Sequence, residues 1–385
     1  MPEAQPSPLR LAAAGMIGMA VAMGIGRFVY TPILPGMMDE LGLSPADAGW
    51  IASANYLGYL VGAFAAAGGW AARRERLLML GGLAASTALA GLMGLTDSLA
   101  AFLIIRFLAG VASAFVMVFL AAIVFSHLAA RNRNDLQALH FAGVGVGILA
   151  SSLMMAALVA AGSHWPSGWS WAAALSSAGF AAVALLVDRG PVAGTGNPKE
   201  PALPRSAALG RLIVAYGIFG FGYIVTATFL VAIVRQGAGS RLFETAVWLV
   251  TGIAAAPSVY LWAGVARRLG PTRTFIICCV VEAVGVAASV SLGGQWGPLL
   301  GGALLGGTFV AATAYGLQAA RLLAPASPRR AFALMTGSFG IGQIVGPIIA
   351  GFMAQKTGNY FAPSMLAALA LLVSAAIAWP RRRAT

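Results

Sequence analysis

Apolar residues in this chain come in long blocks separated by short polar turns. A run of ~20 predominantly apolar residues is enough to cross the hydrocarbon core of a bilayer as a helix. Twelve such runs are legible, over 11–38, 47–70, 77–95, 98–127, 137–161, 168–187, 210–235, 244–266, 274–293, 297–322, 329–354 and 360–379. Turn chemistry marks some of the boundaries, as at Gly42-Leu43-Ser44-Pro45 and Gly270-Pro271-Thr272. Only one connection is long. It runs from Asp188 to Ala208 and contains Gly190, Pro191, Gly194, Gly196, Pro198, Pro201 and Pro204. The pattern predicts an all-α membrane protein with twelve transmembrane helices in two six-helix bundles. The bundles cover residues 1–187 and 209–385, and residues 188–208 form a flexible polar linker on the cytoplasmic side. The run after Arg10 is too long for the apolar stretch of a signal peptide, and it reads as a retained first span.

The two halves repeat. At an offset of 196 residues, Gly24-Ile25-Gly26-Arg27-Phe28-Val29 falls on Gly220-Phe221-Gly222-Tyr223-Ile224-Val225. The same offset places Arg106-Phe107-Leu108-Ala109-Gly110 on Gly302-Ala303-Leu304-Leu305-Gly306. Offsets of 197 and 194 pair Gly143 and Gly145 with Gly340 and Gly342, and Ala72-Arg73-Arg74 with Ala266-Arg267-Arg268. Each match is weak in a Gly- and Ala-rich chain, but four in order at nearly one offset describe a parallel repeat of six helices.

Composition agrees with bilayer as the solvent. Only 9% of the 385 residues are charged and 59% are hydrophobic, against roughly 25% charged in a soluble domain. The 49 glycines suit close approach of membrane helices. The net charge of +13 does not indicate a nucleic-acid partner, because the basic residues are scattered among short loops. With the N-terminus placed in the cytoplasm, 19 of the 24 basic residues fall in cytoplasmic segments, including Arg381 to Arg383, and 3 in outer loops (Arg235, Arg241 and Lys356). Cytoplasmic loops are the basic ones. The split therefore predicts a multi-pass protein of a bacterial inner membrane with both termini in the cytoplasm. Cys278 and Cys279 are adjacent within an apolar run and read as packing residues. No P-loop, no His-x-x-x-x-Asp, no His/Glu metal cluster and no extended soluble domain is legible, which argues against an enzyme or an ATP-driven pump. No cofactor is expected.

The first span with its end, Gly24-Ile25-Gly26-Arg27-Phe28-Val29-Tyr30-Thr31-Pro32-Ile33-Leu34-Pro35, resembles the YbfB/YjiJ branch of the major facilitator superfamily. So does the seventh, from Tyr216-Gly217 through Gly220, Gly222 and Tyr223 to Thr226 and Thr228. The resemblance covers nearly the whole chain and implies the twelve-helix major facilitator fold, transport by alternating access, and a monomer. The superfamily's loop between its second and third helices usually reads Gly-x-x-x-Asp-Arg-x-Gly-Arg-Arg. Here Gly69-Trp70-Ala71-Ala72-Arg73-Arg74-Glu75-Arg76 has Arg73 in place of the Asp, and the copy at Arg267-Arg268 makes the same replacement. The gating salt bridge attributed to that Asp is therefore not expected in this chain. The antiporter-type pattern is absent from the fifth span. A near match, Gly342-Gln343-Ile344-Val345-Gly346-Pro347, lies on the eleventh.

Arg27 is the most informative single residue. An arginine at the centre of a span costs ~2.5–3.5 kcal/mol on insertion scales and faces a cavity or a partner. Its planar fork suits a carboxylate, phosphate or sulfonate. The alternative is a structural arginine satisfied by backbone carbonyls. Helical spacing places Tyr30 on the same face, and the repeat makes Tyr223 and Thr226 their mates, so the four are expected to form a polar ring. Asn55 and Tyr59 lie one turn apart on the second span. Together with Gln318 and Gln343 they are cavity candidates, or else interhelical hydrogen-bond formers. The resemblance implies a coupling or gating role for Arg106, and Ser113 continues its face. Glu282 is the one carboxylate deep within a span, either a proton carrier or structural. His140, near the cytoplasmic end of the fifth span, reads as structural. Pro32, Pro35 and Pro257 remove backbone donors and allow bending. Two intramembrane arginines against one glutamate favour an organic anion as the small-molecule substrate, with protons or a counter-anion open as the coupling species. The second expectation is efflux of drug-like amphiphiles, supported by Met16, Met19, Met23, Phe115 and Met117 near the expected pore.

Overall fold

The computed structural model describes residues 7–67, 70–192, 200–237 and 240–380. They form twelve long helices, with no strand among the described residues. In chain order these are α1 Pro8–Leu41, α2 Pro45–Ala66, α3 Glu75–Met93, α4 Leu99–Ala129, α5 Gln137–Ala160 and α6 Trp165–Leu186. The second half holds α7 Ala207–Gln236, α8 Arg241–Leu269, α9 Pro271–Ser291, α10 Trp296–Leu323, α11 Pro328–Thr357 and α12 Phe361–Ala378. Eleven are long and apolar enough to cross a membrane. The exception, α2, is 22 residues long and is diluted by Ser53, Asn55, Tyr56 and Tyr59, which it brings to the middle of the protein. A helix is present at each of the twelve expected positions, eleven of them candidate spans, and they form two six-helix bundles. Gly69, part of the loop motif, lies outside the described residues. So do Gly194, Gly196, Pro198 and Lys199 of the linker, and Arg381 to Arg383.

Local sequence explains the ends. Ser44 caps α2 in a reciprocal box with Asp47, and Gly42 and Gly270 turn the chain with φ of 67° and 81°, a conformation that only glycine adopts without strain. Serines also cap α4, α7 and α8, at Ser98, Ser206 and Ser240. The start of α1 and the end of α12 lie on one face of the bundle, called proximal below. The opposite face is distal. Two proximal arginines do local work. Arg10 donates to the Leu185 carbonyl (2.7 Å) and Arg76 to Val187 (2.7 Å), which satisfies carbonyls at the end of α6.

Within each half, glycine sets the helix spacing. A Cβ on Gly58 would stand 1.9 Å from the Phe107 carbonyl oxygen, and one on Gly110 would stand 2.1 Å from that of Asn55. Backbones of α2 and α4 therefore touch, and small residues are what permits such contact in lipid. Between the halves, α5 packs on α8, α2 on α11 and α1 on α7. The first two pairings are related by the sequence repeat, as a parallel two-fold arrangement requires.

The main departure from expectation is in α1. Its α-helix ends at Met19, a π-helical stretch covers Ala20–Ile25, and α-helix resumes at Tyr30. Gly26 N–H reaches back five residues to Val21, and Phe28 N–H reaches Met23. Two glycines weaken the helix here by about 1 kcal/mol each, and Pro32 offers no donor to the carbonyl four residues back.

The candidate substrate site

The break in α1 frees backbone carbonyls, and Arg106 from α4 takes them. Its Nη1 donates to Gly26 O (2.9 Å) and its Nη2 to Arg27 O (3.1 Å). Asn55 of α2 donates in turn to Arg106 O (3.0 Å). Arg106, 1% exposed, is thus engaged by the backbone through both Nη atoms, while its Nε has no partner. Tyr30 does not join Arg27. It donates to Ala48 O (3.0 Å), and its ring lies 5.2 Å from Arg106 Cζ. The expected ring of four polar residues assumed α-helical spacing through residues 27–30, and that spacing fails where the helix is broken.

Arg27 itself is differently placed. It is 3% exposed, and neither its Nε nor its Nη2 has a hydrogen-bond partner. No carboxylate pairs with it among the described residues. The rings of Tyr56 and Tyr59 lie 4.4 and 4.8 Å from its Cζ, which gives cation–π support. Phe28, at 5.8 Å, meets Phe309 of α10 edge-on. Phe309 stacks on Tyr223 (5.8 Å, 8° between planes), and Tyr223 stacks on Phe339 (5.5 Å, 9°). Gln343 donates its amide to the Tyr223 hydroxyl, and its Oε1 is left without a partner. Thr226 is fully buried with its hydroxyl unpartnered. Arg27 with its flanking tyrosine rings, and Gln343 with the Phe309–Tyr223–Phe339 stack, thus form one packed aromatic and polar cluster at the seam of the halves.

Other expected site residues lie elsewhere. Ser113 donates to Gly110 O in its own helix (2.9 Å). Glu282 is fully buried in α9, with Thr308 of α10 3.0 Å from Oε2 and no partner for Oε1. Gln318 lines a cavity of about 1080 Å³ that opens on the proximal face between α4 and α5 of one half and α8, α10 and α11 of the other. Arg267, Arg321 and Tyr315 line it too, and Met16, Met19, Met23, Phe115 and Met117 do not. Met16 and Met19 instead pack against Gly143, and Phe115 meets Trp70 at a tilt and Phe119 edge-on within the first half. His140 is buried against Phe125 and Phe141.

The distal face is shut. Thr31 donates to Ala227 O (2.6 Å), Ser53 donates to Ile344 O (2.7 Å), and a Cβ on Gly49 would meet Pro347 O at 2.3 Å. At the rim, Arg235 of α7 holds Glu244 of α8 with two bonds (2.8 and 2.6 Å) and reaches Asp39 of α1 at 2.5 Å. Sequence reasoning missed the Asp39–Arg235–Glu244 cluster, although Asp39 and Arg235 are mates at the 196-residue offset and carry opposite charge. It also passed over Phe309 and Phe339, which carry no polar or charged signal in an apolar run.

Among the described residues, one face is thus open, the other is shut, and Arg27 lies between the halves without a carboxylate partner. The family model for the uncharacterised MFS-type transporter YbfB matches residues 19–379. The chain belongs to that family. A curated relative of this MFS-type transporter, the uncharacterised MFS-type transporter YceJ of Bacillus subtilis (strain 168), is 37% identical over 94 residues, about a quarter (24%) of each chain. Among solved structures, the transporter's fold matches the nucleoside transporter NupG over 96% of this chain and 97% of that one (TM-score 0.69, 16% identity). A point mutant of NupG matches with a TM-score of 0.73 and 13% identity, covering 96% of both chains. A bacterial homologue of the lysosomal transporter Spinster, in an inward-facing and occupied conformation, matches over 96% of this chain and 95% of that one (TM-score 0.68, 15% identity). At these identities the likeness shows the fold alone.

Proposed function

We propose that this MFS-type transporter is a secondary carrier that moves a small organic anion across the bacterial inner membrane by alternating access. One observation carries the reading. Arg27 is a buried cation at the seam between the halves, with its buried Nε and Nη2 unpartnered and no carboxylate paired with it among the described residues. Burying an unpaired charge is costly, and an anionic substrate removes that cost in the bound state. The basic loops support a cytoplasmic proximal face. The open cavity then faces the cytoplasm, and its Arg267 and Arg321 attract anions to the entrance.

The test is a thermal-shift screen of purified protein, wild type and Arg27→Gln, against small carboxylates, sulfonates and phosphates beside lipophilic cations. A ligand at a hundred times its Kd stabilises by about 2.7 kcal/mol. Stabilisation by anions in the wild type and its loss in Arg27→Gln is the expected outcome. The stacked rings of Phe309, Tyr223 and Phe339 favour a second reading, export of drug-like amphiphiles. Stabilisation by lipophilic cations in both proteins would select it.

A further inference from the structure

The cavity on the proximal face is two-sided. Its charge comes from the second half. Arg267 on α8 and Arg321 on α10 both line it, each two residues short of the end of its helix. The two helices are tied by the Tyr315 hydroxyl, which donates to Val259 O (2.9 Å). Beyond that bond Arg321 lies six residues past Tyr315 and Arg267 eight past Val259, about 9 and 12 Å at the rise of a helix. The arginines thus stand at nearly one level on neighbouring helices. Neither makes an ion pair among the described residues. The third arginine of the lining, Arg329, is already paired with Glu200 (2.9 Å). No Asp or Glu lines the cavity among the described residues.

The first half brings no charge to the wall. It supplies Phe125 and Ala129 of α4, Ala138 and Phe141 of α5, and Asn134 and Gln137, whose amides bond to each other (3.0 Å). Phe125 and Phe141, with Phe332 of α11, each lie four residues inside the proximal end of their helices. Phe332 is 49% exposed, so it offers apolar area that a ligand can cover. Deeper still the lining is Val259, Ala263 and Ala314. Two limits follow for an occupant. A cation would meet only like charge, and an inorganic anion would leave the phenylalanines in water. The volume of about 1080 Å³ is at the upper end of small-molecule sites, roughly 300–1,000 Å³, so there is room for more than a charged group.

We infer that this cavity binds an amphiphilic organic anion, with its charged group at Arg267 and Arg321 and its apolar body against Phe125, Phe141 and Phe332. The inference rests on the anion reading above and adds an apolar body to the substrate. Arg27 does not line the cavity, so the two seats are separable by mutation.

Calorimetric titration of the purified full-length protein, in nanodiscs of phosphatidylcholine, with octanoate, acetate and octylammonium tests it. Octanoate should bind at least about a hundredfold tighter than acetate, because its longer chain is buried. It should bind at least about tenfold tighter than octylammonium, which has the same chain and the opposite charge. The double variant Arg267→Gln with Arg321→Gln should weaken octanoate about tenfold. It should melt like the wild type, since both side chains are exposed. Phe332→Ser should weaken octanoate and leave acetate alone. Octanoate bound equally by the double variant, or octylammonium bound as tightly as octanoate, would show partition into apolar surface and overturn the site. Acetate as tight as octanoate overturns the amphiphile class and leaves the anion reading standing. Binding of neither anion overturns the site as well, and the broader screen with Arg27→Gln then decides the parent reading separately. In nanodiscs containing phosphatidylglycerol the octanoate affinity should persist. Its abolition there would give the site to a lipid headgroup and overturn a soluble ligand.

Discussion

At the scale of single residues, the two intramembrane arginines divide the work, although the sequence presents them alike. Arg106 is a backbone partner. It closes the break in α1 by pairing with two carbonyls that a regular helix would have satisfied, as broken membrane helices require. Arg27 is left unpaired one residue from the same break. Substituting Arg106 should therefore act on folding. Arg106→Gln leaves at least one carbonyl buried without a donor, and each such loss costs roughly 1–3 kcal/mol. Arg106→Lys should rescue little, because one ammonium does not reproduce a fork reaching two carbonyls. The expected outcome is a lower melting temperature in detergent for both variants, whereas Arg27→Gln melts close to the wild type or above it, having lost a buried unpaired charge. Equal melting of Arg106→Gln and wild type would refute the clamp. Sequence shows that both residues must be unusual, since any arginine in a span is. It does not show which one is satisfied by backbone, because that depends on a helix break whose only signals are Gly24, Gly26 and Pro32.

At the scale of elements, eleven of the twelve helices are readable from apolar length alone, since a span has to match the thickness of hydrocarbon, and α2 is the one diluted by polar residues. Side-chain facing is less readable. α-Helical spacing places Tyr30 on the face of Arg27, but the turn at residues 26–29 breaks that spacing and sets Tyr30 against α2 and α4 instead. The linker carries another feature hidden from pattern. Glu200 accepts from the backbone amides of Arg329 and Arg330 (3.2 Å each) and pairs with the Arg329 side chain at 2.9 Å, so it caps α11 from outside that helix. Partial burial raises its pKa, but these donors outweigh burial and hold the carboxyl below its usual range. The sign follows from linkage. A carboxyl whose folded pKa is depressed stabilises above its unfolded value of about 4.3, and the contribution is lost as pH falls through the folded pKa. Acidification should therefore loosen the linker from the first turn of α11. Hydrogen exchange at Arg329 and Arg330 should accelerate, after correction for intrinsic rates, below about pH 4 in the wild type. Glu200→Gln should be fast already at neutral pH. Protection independent of pH and of the substitution would show that the cap contributes nothing.

At the scale of the whole molecule, the repeat is written twice, in sequence and in contacts. Thr31 and Ala227, and Asp39 and Arg235, are separated by 196 residues and touch across the seam, because α1 and α7 meet where the two copies face each other. The offset relates these partners, but only a structure shows that they touch and which face they close. Of the distal contacts, the Asp39–Arg235 pair is the one that can be removed without opening a core. Arg235 keeps its two bonds to Glu244 within its own half, and Asp39 is half exposed. Exposed pairs are worth up to about 1 kcal/mol, and about that much changes a two-state ratio roughly fivefold. Asp39→Asn should therefore shift the protein toward a state open at the distal face while leaving its melting little changed. Cys278 and Cys279 are fully buried, so a single cysteine introduced at Met38 reports opening by its rate of reaction with a polar thiol reagent. That rate should rise several-fold, up to about fivefold, in Asp39→Asn, and rise in the parent on going from 0.1 to 1 M salt, where the screening length falls from about 10 to 3 Å. Glu40 is the control, since it pairs with His164 inside the first half at 3.0 Å, and Glu40→Gln should leave the rate alone. Equal rates in Asp39→Asn and its parent would mean that helix packing through Gly49 and Pro347 seals the distal face without help from charge.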